Sequence, residues 1–444
     1  MGSRRERWIV VGGGVLGLVA AQAGVRAGHD VVLLEGAETL GGLTASTTMD
    51  TPDGERVTVD RFYHVVLESD AAVIALLDQL GLAESIRWSA APAVVAHEGH
   101  QYPASALGEL ARLPVLTSVD RLRTGLSVAA SLALPLPAAR RLTAQSWLRR
   151  IAGPGATRAF WGPILRAKLG AAAPEVSADF LVATFRRLIR ARLRGAGDRF
   201  GVVGGGYAPV IAALADQATQ LGAHLRTGAA VRRISPQRPG GAARVAVELH
   251  SGERLSADKV VLTTPGPVTA RLLPQLTARE LQSLTGAPYL GVICGIYLMD
   301  RAPNDAYLTY LVDDVDITGV IGMHALLDPA STGGRALVYV PRYCAPGDPW
   351  FELDDAQVDA RLRSAVDAAL PGSMRHVAAS AVSRARYVVP LPTPDAPRPL
   401  PVTTSIPGVY VVSGAQNTSG TANVEQTLEF AAPALRRILR EPAR

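Results

Sequence analysis

Residues 8–17 read Trp8-Ile9-Val10-Val11-Gly12-Gly13-Gly14-Val15-Leu16-Gly17. The run Trp8 to Val11 predicts a short buried strand, Val15 to Ala27 an apolar helix, and Asp30 to Glu35 a second strand after the turn at Gly28-His29. This is a βαβ unit whose glycines stand where a dinucleotide needs them. Gly12 permits the tight turn, Gly14 lets the backbone approach a pyrophosphate at the helix N-terminus, and Gly17 lets helix and strand pack closely. Glu35 lies 18 residues beyond Gly17, at the end of the second strand, where a carboxylate accepts hydrogen bonds from a ribose diol. Its charge would repel a 2′-phosphate, which argues against NADP.

Outward from this unit, Glu84 to Tyr102 is short and strand-like, with a turn at His97-Glu98-Gly99-His100 that reads as a solvated hairpin turn rather than a metal cluster. Helical periodicity dominates from Ala104 to Leu193. Its last helix sets Leu181, Phe185, Leu188 and Ile189 on one face and Arg186, Arg190 and Arg194 on another. A membrane surface or a phosphorylated substrate would suit that basic face, but a solvated face is favoured in so Arg-rich a chain. Gly204-Gly205-Gly206 opens a further turn and a helix through Leu221, with strands at His224 to Arg226 and Ala230 to Ile234. No strand of useful length is expected before those glycines, and no acidic residue ends the strand after them, so a second dinucleotide site is not read here. Residues 243–250 and 253–264 read as a hairpin ending at Thr264-Pro265. Strands at Val292 to Leu298, Ala336 to Val340 and Ala381 to Val388 surround a helix at Asp355 to Ala369, which predicts a mixed sheet. A strand at Gly408 to Ser413 and a helix at Asn423 to Leu439 close the chain.

The 444 residues are 48% hydrophobic and 19% charged, a globular mixture with room for two or three cores. The net charge of +6 comes almost wholly from arginine, and the basic residues read as scattered through the chain, which argues against a nucleic-acid partner. Two cysteines, Cys294 and Cys344, in no metal-ligand spacing fit a reducing cytoplasm, and no metal is expected. Arg4-Arg5 before an apolar run resembles an export signal only until the glycines at 12, 13, 14 and 17 are counted. The uncharged run Thr124 to Ala139 is too short to cross a bilayer. A cytoplasmic protein is expected, with contact at a membrane surface as the lesser reading and the oligomeric state open.

The βαβ fingerprint is shared by FAD and NAD proteins. Glu35-Gly36-Ala37-Glu38-Thr39-Leu40-Gly41-Gly42-Leu43-Thr44, an acidic residue followed six and seven positions on by paired glycines, resembles the second FAD motif of the protoporphyrinogen oxidase, phytoene desaturase and amine oxidase superfamily. Thr39 and Leu43 stand where that superfamily often has arginines. Asp60-Arg61-Phe62-Tyr63-His64 resembles its Asp-x-Gly-x-His segment with Phe62 for the glycine, Ala230 to Ile234 its adenine-side strand, and Val412 to Ala415 with Gly420 to Glu425 its C-terminal motif, Ala415 replacing the usual Asp. The resemblance implies an α/β protein: a Rossmann-like FAD-binding domain of the glutathione-reductase type (1–80, 200–268 and 400–444), a mixed-sheet substrate domain (84–103 and 269–399) and a helical insertion (104–199). It implies FAD contacts at Gly12, Gly14, Val15, Leu16, Gly17, Glu35, Gly41, Gly42, Leu43, Thr44, Val231, Thr264, Gly414, Ala415, Asn423 and Val424.

In such enzymes hydride passes from a substrate C–H bond to flavin N5. The resemblance therefore implies an FAD-dependent oxidoreductase acting on a small-molecule biosynthetic intermediate, with electrons leaving to oxygen or another acceptor. No aromatic residue occurs from Asn417 to Asn423, where amine oxidases of this kind build part of a cage, which weakens simple amine oxidation. His64 leads the candidates for chemistry, as a proton acceptor or as a loop support for the cofactor. Tyr63 and Lys168 follow, and His324 and Tyr343 are pocket candidates on the substrate sheet. The alternative is a non-redox flavoenzyme resembling UDP-galactopyranose mutase, with Arg186, Arg190 and Arg194 holding a diphosphate.

Overall fold

The alternation of Trp8 and Val10 against Ile9 and Val11 puts two apolar faces on one strand, and both are covered. In the computed structural model, which describes residues 5–105, 109, 112–193, 199–237, 245–416 and 423–441, Arg7–Val11 (β1) is the centre of a five-stranded parallel sheet. Its order is His224–Arg226, Asp30–Leu34 (β2), β1, Lys259–Leu262 and Val409–Val411. Trp8 and Val10 pack with the helices Val15–Arg26 (α1), Ala208–Gln220 and Val424–Arg440. Ile9 and Val11 pack against an antiparallel sheet of Val231–Pro236, Val245–Leu249 and Arg254–Ala257, and against the helices Gly266–Leu272 and Ala278–Thr285.

Three details differ from the sequence reading. The run 253–264 is two strands, because Asp258 accepts the backbone N–H of Arg7 and turns the chain out of the antiparallel hairpin into the parallel sheet. A strand does precede the Gly204-Gly205-Gly206 turn: Arg199–Val203 pairs antiparallel with Val66–Leu67 and Ile86–Ala90. Residues 84–103, expected together in the substrate domain, divide between two sheets. Ile86–Ala90 belongs to that small sheet, while Ala93–His97 and His100–Pro103 form a hairpin at the edge of a seven-stranded one. In the hairpin turn His97 pairs with Asp313 through Nδ1 at 2.7 Å, and His100 Nδ1 lies 3.0 Å from the Glu98 carbonyl.

The seven-stranded mixed sheet is built on Tyr289–Met299, buried along its whole length between Val377–Pro390 and Ala336–Cys344. Ile293, Tyr297 and Met299 face the helix Asp355–Ala369. Val292, Cys294, Ile296 and Leu298 face the other way, with Tyr339 and Tyr307, onto the segment that carries Phe62 and Tyr63. Residues 118–193 are helical and pack around Trp147, Phe160, Trp161 and Phe185. Lys259 is buried in its strand and tied to Glu6 at 2.9 Å and to the carbonyls of Ile438 and Glu441, so its role there is structural.

Candidate active site

The first glycine turn is held by backbone contacts and by the side chains of Glu35 and Thr263. Gly12, at φ +111°, donates to Leu34 O, and a Cβ on Gly17 would lie 1.8 Å from Gly12 O. No side chain fits at position 17 without parting α1 from β1. The N–H groups of Val15, Leu16 and Gly17 are the unpaired first-turn donors of α1, since the intrahelical ladder starts with Leu18 donating to Gly14. Val15 and Leu16 bury their side chains in the core below.

The second glycine turn docks directly on the first. Gly41 donates to Gly13 O at 2.8 Å, and a Cβ on Gly42 would lie 3.4 Å from Gly14 Cα. Gly41 and Gly42 both have positive φ, and Thr44 closes the turn by donating its hydroxyl to Gly41 O. Leu43 projects from it partly exposed. One Glu35 oxygen accepts from Gly13 N at 2.6 Å and the other from Ala37 N at 2.8 Å. Each carboxylate oxygen has a second acceptor direction free for a ribose hydroxyl. Ala229 donates to Glu35 O, Gly228 to Ala37 O, and the chain then enters the strand at Val231, so Val231 reaches the Glu35 end of the cleft. Thr264, at the far side of β1, shares a hydrogen bond with Thr269.

The C-terminal elements lie close by. Gly414 starts a single 3-10 turn, Gly414–Gln416, which contacts the edge strand Val377–Pro390. A Cβ on Gly414 would meet open space. The side chain of Ala415 and residues 417–422, including the Gly420-Thr421-Ala422 part of the motif, lie outside the described residues. Asn423 caps the helix at Val424, its Oδ1 accepting from Gln426 N, while its buried Nδ2 has no partner among the described residues. Glu425 turns away and accepts from Ala72 N and Val73 N at 3.0 and 2.8 Å, capping the helix Ala71–Gln79. Glu425→Ala should leave those two donors, the one on Val73 buried, unpaired and cost about 1–3 kcal/mol, seen as a lower urea midpoint. A midpoint equal to wild type would remove the cap from this account.

A side-chain-free backbone cradle, helix-end N–H groups and the orphaned amide of Asn423 fit an extended dinucleotide with two phosphates.

The Asp60–His64 segment adjoins this cradle, because Arg61 donates to Ala45 O just after the second glycine turn. Asp60 accepts from Tyr207 N at 2.9 Å, at the N-terminus of Ala208–Gln220. Gly206 in the second glycine-rich stretch leaves room for this contact: a Cβ there would strike Asp60 Oδ1 at 2.6 Å. The other Asp60 oxygen lies 3.6 Å from His64 Nδ1, a buried nitrogen with no hydrogen-bond partner among the described residues, and the imidazole packs on the Tyr207 ring. Asp60 thus faces the Nδ1 side of the imidazole.

Tyr63 pairs with Tyr343 through their hydroxyls at 3.2 Å, and Tyr339 donates to Asp60 O at 2.7 Å. The structure therefore brings Tyr63, His64 and Tyr343 together and adds Asp60, Tyr207 and Tyr339, whose signals in the sequence were an i, i+4 carboxylate and a glycine turn. Lys168 stands elsewhere, exposed at the end of the helix Gly162–Leu169 with its ammonium 5.5 Å from the Phe180 ring centre. His324 bonds the Asn304 carbonyl through Nε2. Arg186 donates to the carbonyls of Ser131, Leu132 and Leu134, which commits it to the helix before it rather than to a diphosphate. The Arg190 side chain and Arg194 lie outside the described residues.

Burial holds the phenols of Tyr63, Tyr207, Tyr307, Tyr339 and Tyr343 above their ordinary ionisation, with neighbouring Tyr343 adding to the effect at Tyr63 and Asp60 at Tyr207 and Tyr339. They act as neutral donors, not bases, at physiological pH. Stability is therefore flat with respect to these groups below the unfolded phenol value of about 10 and falls as pH rises above it, because the unfolded chain releases protons that the folded chain keeps. Tyrosinate absorbance should appear together with unfolding. Ionisation of these five phenols near 10 in a still-folded protein would contradict this burial.

A profile of flavin containing amine oxidoreductases matches residues 17–431. A coproporphyrinogen III oxidase from Propionibacterium freudenreichii subsp. freudenreichii is 25% identical over 433 residues, covering 82% of this chain and 76% of that protein. Among solved structures, a proposed protoporphyrinogen oxidase from Exiguobacterium sp. 255-15 superposes with a TM-score of 0.74 at 19% identity, covering 99% of both chains. Reduced UDP-galactopyranose mutase superposes at 0.74 and 15% identity, covering 98% of this chain and 95% of that one. The α/β architecture with a Rossmann-like FAD domain, the FAD cofactor and an FAD-dependent oxidoreductase activity all follow from the family match. The chain belongs to the flavin containing amine oxidoreductase family.

Proposed function

We propose that the protein dehydrogenates a reduced, largely apolar biosynthetic intermediate, for which a porphyrinogen is the first candidate. The observation that carries this reading is the Tyr63–Tyr343 phenol pair at the end of an apolar sheet face, beside a histidine whose Nδ1 faces a carboxylate. Two of the similar proteins, one named a coproporphyrinogen III oxidase and one a proposed protoporphyrinogen oxidase, support the substrate class.

In this reading Gly12 to Gly17, Gly41 to Thr44, Val231, Thr264, Gly414, Ala415, Asn423 and Val424 hold the cofactor, and Glu35 holds its ribose. Bound FAD supplies a two-electron acceptor for hydride from a substrate C–H bond. The chain handles the accompanying proton. Asp60 orients the imidazole, and His64 Nε2 accepts the proton lost with the hydride. Tyr63 and Tyr343, kept neutral by burial, position polar atoms of the substrate without attracting a cation. The apolar face of Val292, Cys294 and Ile296 excludes water from the reacting bond.

The test is anaerobic mixing of the FAD-loaded protein with coproporphyrinogen III and with protoporphyrinogen IX. Bleaching of the ~450 nm flavin band by either supports the reading. No bleaching by either, with turnover of a sugar nucleotide after dithionite reduction, would assign the non-redox mutase chemistry instead.

A further inference from the structure

The helix Ser118–Ala133 is amphipathic in reverse. Thr124, Ser127 and Ser131 face the protein; both serines are wholly buried and donate to the carbonyls of Thr124 and Val128 on their own helix, while the Thr124 hydroxyl has no partner among the described residues. Asp120 is also on this side and accepts from Ala156 N. The opposite side is apolar and open to solvent, with Val119 59%, Leu122 67%, Leu126 52% and Leu132 51% exposed, and Leu136 in the next turn 43%. A helix on a water-facing surface carries the opposite distribution. Arg186 ties the C-terminal carbonyls of this helix to the body, so the ridge is fixed in place.

The sequence between Asp120 and Glu175 is one-sided in charge. Residues 121–174 contain eight arginines and Lys168 and not one Asp or Glu, so the scatter of basic residues read over the whole chain fails in this stretch. Arg123, Arg141, Arg149 and Arg150 are exposed. Among the described residues no helix is long and apolar enough to cross a membrane.

We infer that the outer face of Ser118–Ala133, continued by Leu136, docks on an anionic phospholipid bilayer, its leucines entering the acyl boundary and the flanking arginines meeting the phosphates. An interfacial helix needs this combination of a broad apolar face and a basic surround. A nucleic acid would use the arginines but gain nothing from the leucines. A second copy of this chain could use the spacing 119, 122, 126, 129, 133, which is that of a coiled-coil seam. The positions flanking such a seam, however, are Ser118, Gly125 and Leu132 on one side and Arg123 and Ala130 on the other, with no acidic residue to pair across it, and Pro135 ends the helix. Lipid fits the width and the charge better.

The experiment is co-sedimentation of the FAD-loaded chain with phosphatidylcholine vesicles containing about a third phosphatidylglycerol, against pure phosphatidylcholine. Wild type should bind the anionic vesicles and be released largely by about 0.5 M salt. The double variant Leu122→Gln/Leu126→Gln should partition about ten-fold more weakly or worse while keeping its FAD, both side chains being exposed. Arg140→Glu/Arg141→Glu should also weaken binding. The inference is overturned if wild type ignores anionic vesicles, if the leucine variant binds them as well as wild type, or if wild type instead forms a dimer that the leucine variant abolishes. Binding is read without any turnover, so this result is independent of the substrate proposed above.

Discussion

Gly14→Val should leave the column colourless, whereas Gly14→Ala should remain yellow. The two differ by two γ-carbons, and the geometry separates them. Gly14 has an ordinary φ of −76°, so the backbone accepts any L residue. A Cβ there would sit 3.6 Å from Gly41 O and 3.9 Å from Gly42 Cα, an ordinary contact. The γ-carbons of valine extend beyond that and press on the second glycine turn, which Gly41 anchors to Gly13 O. Overpacking of this kind costs about 1–3 kcal/mol, or about ten- to a hundred-fold in affinity. The sequence reading has a branched side chain at 14 occupy the approach of a pyrophosphate, and the packing against residues 41 and 42 adds a second obstacle. A yellow Gly14→Val protein, or a colourless Gly14→Ala protein, would overturn this docking of the two turns.

His64→Ala should lower turnover by ~10²-fold or more with FAD content unchanged. The proton accompanying the hydride needs an acceptor, and the raised phenols of Tyr63 and Tyr343 are poor ones. Imidazole added to the variant should restore part of the rate, which a lost scaffold contact would not allow. Asp60→Asn should give a smaller loss, because an amide still accepts from Tyr207 N while losing the charge that faces His64. Unchanged turnover in His64→Ala would reduce His64 to a support of the loop.

The βαβ unit was legible because its determinants lie along one short stretch: period-two burial at residues 8–11, glycines at fixed offsets, and Glu35 closing the second strand. The long strands Tyr289–Met299 and Ala336–Cys344 were legible for the same reason. What escaped depends on contacts between distant segments. Gly206 looked like part of a failed dinucleotide turn, and only its packing on Asp60 gives it a purpose. The strand 253–264 looked continuous because Asp258, which divides it, acts through the backbone of Arg7. Arg186 belongs to a basic helix face by periodicity, yet it points at three carbonyls of another helix. Lys168 is a candidate by resemblance to enzymes that hold a lysine near flavin N5, and that resemblance carries no information on where its ammonium stands. The reversed helix escaped because periodicity reports that two faces differ and not which one the protein covers.

The nucleotide released on heat denaturation of the purified protein tests the central claim most directly. FAD, at about one per chain and with the ~450 nm band lost from the protein fraction, is the result this account requires. Release of NAD, or a chain that stays colourless after incubation with FAD, would contradict it.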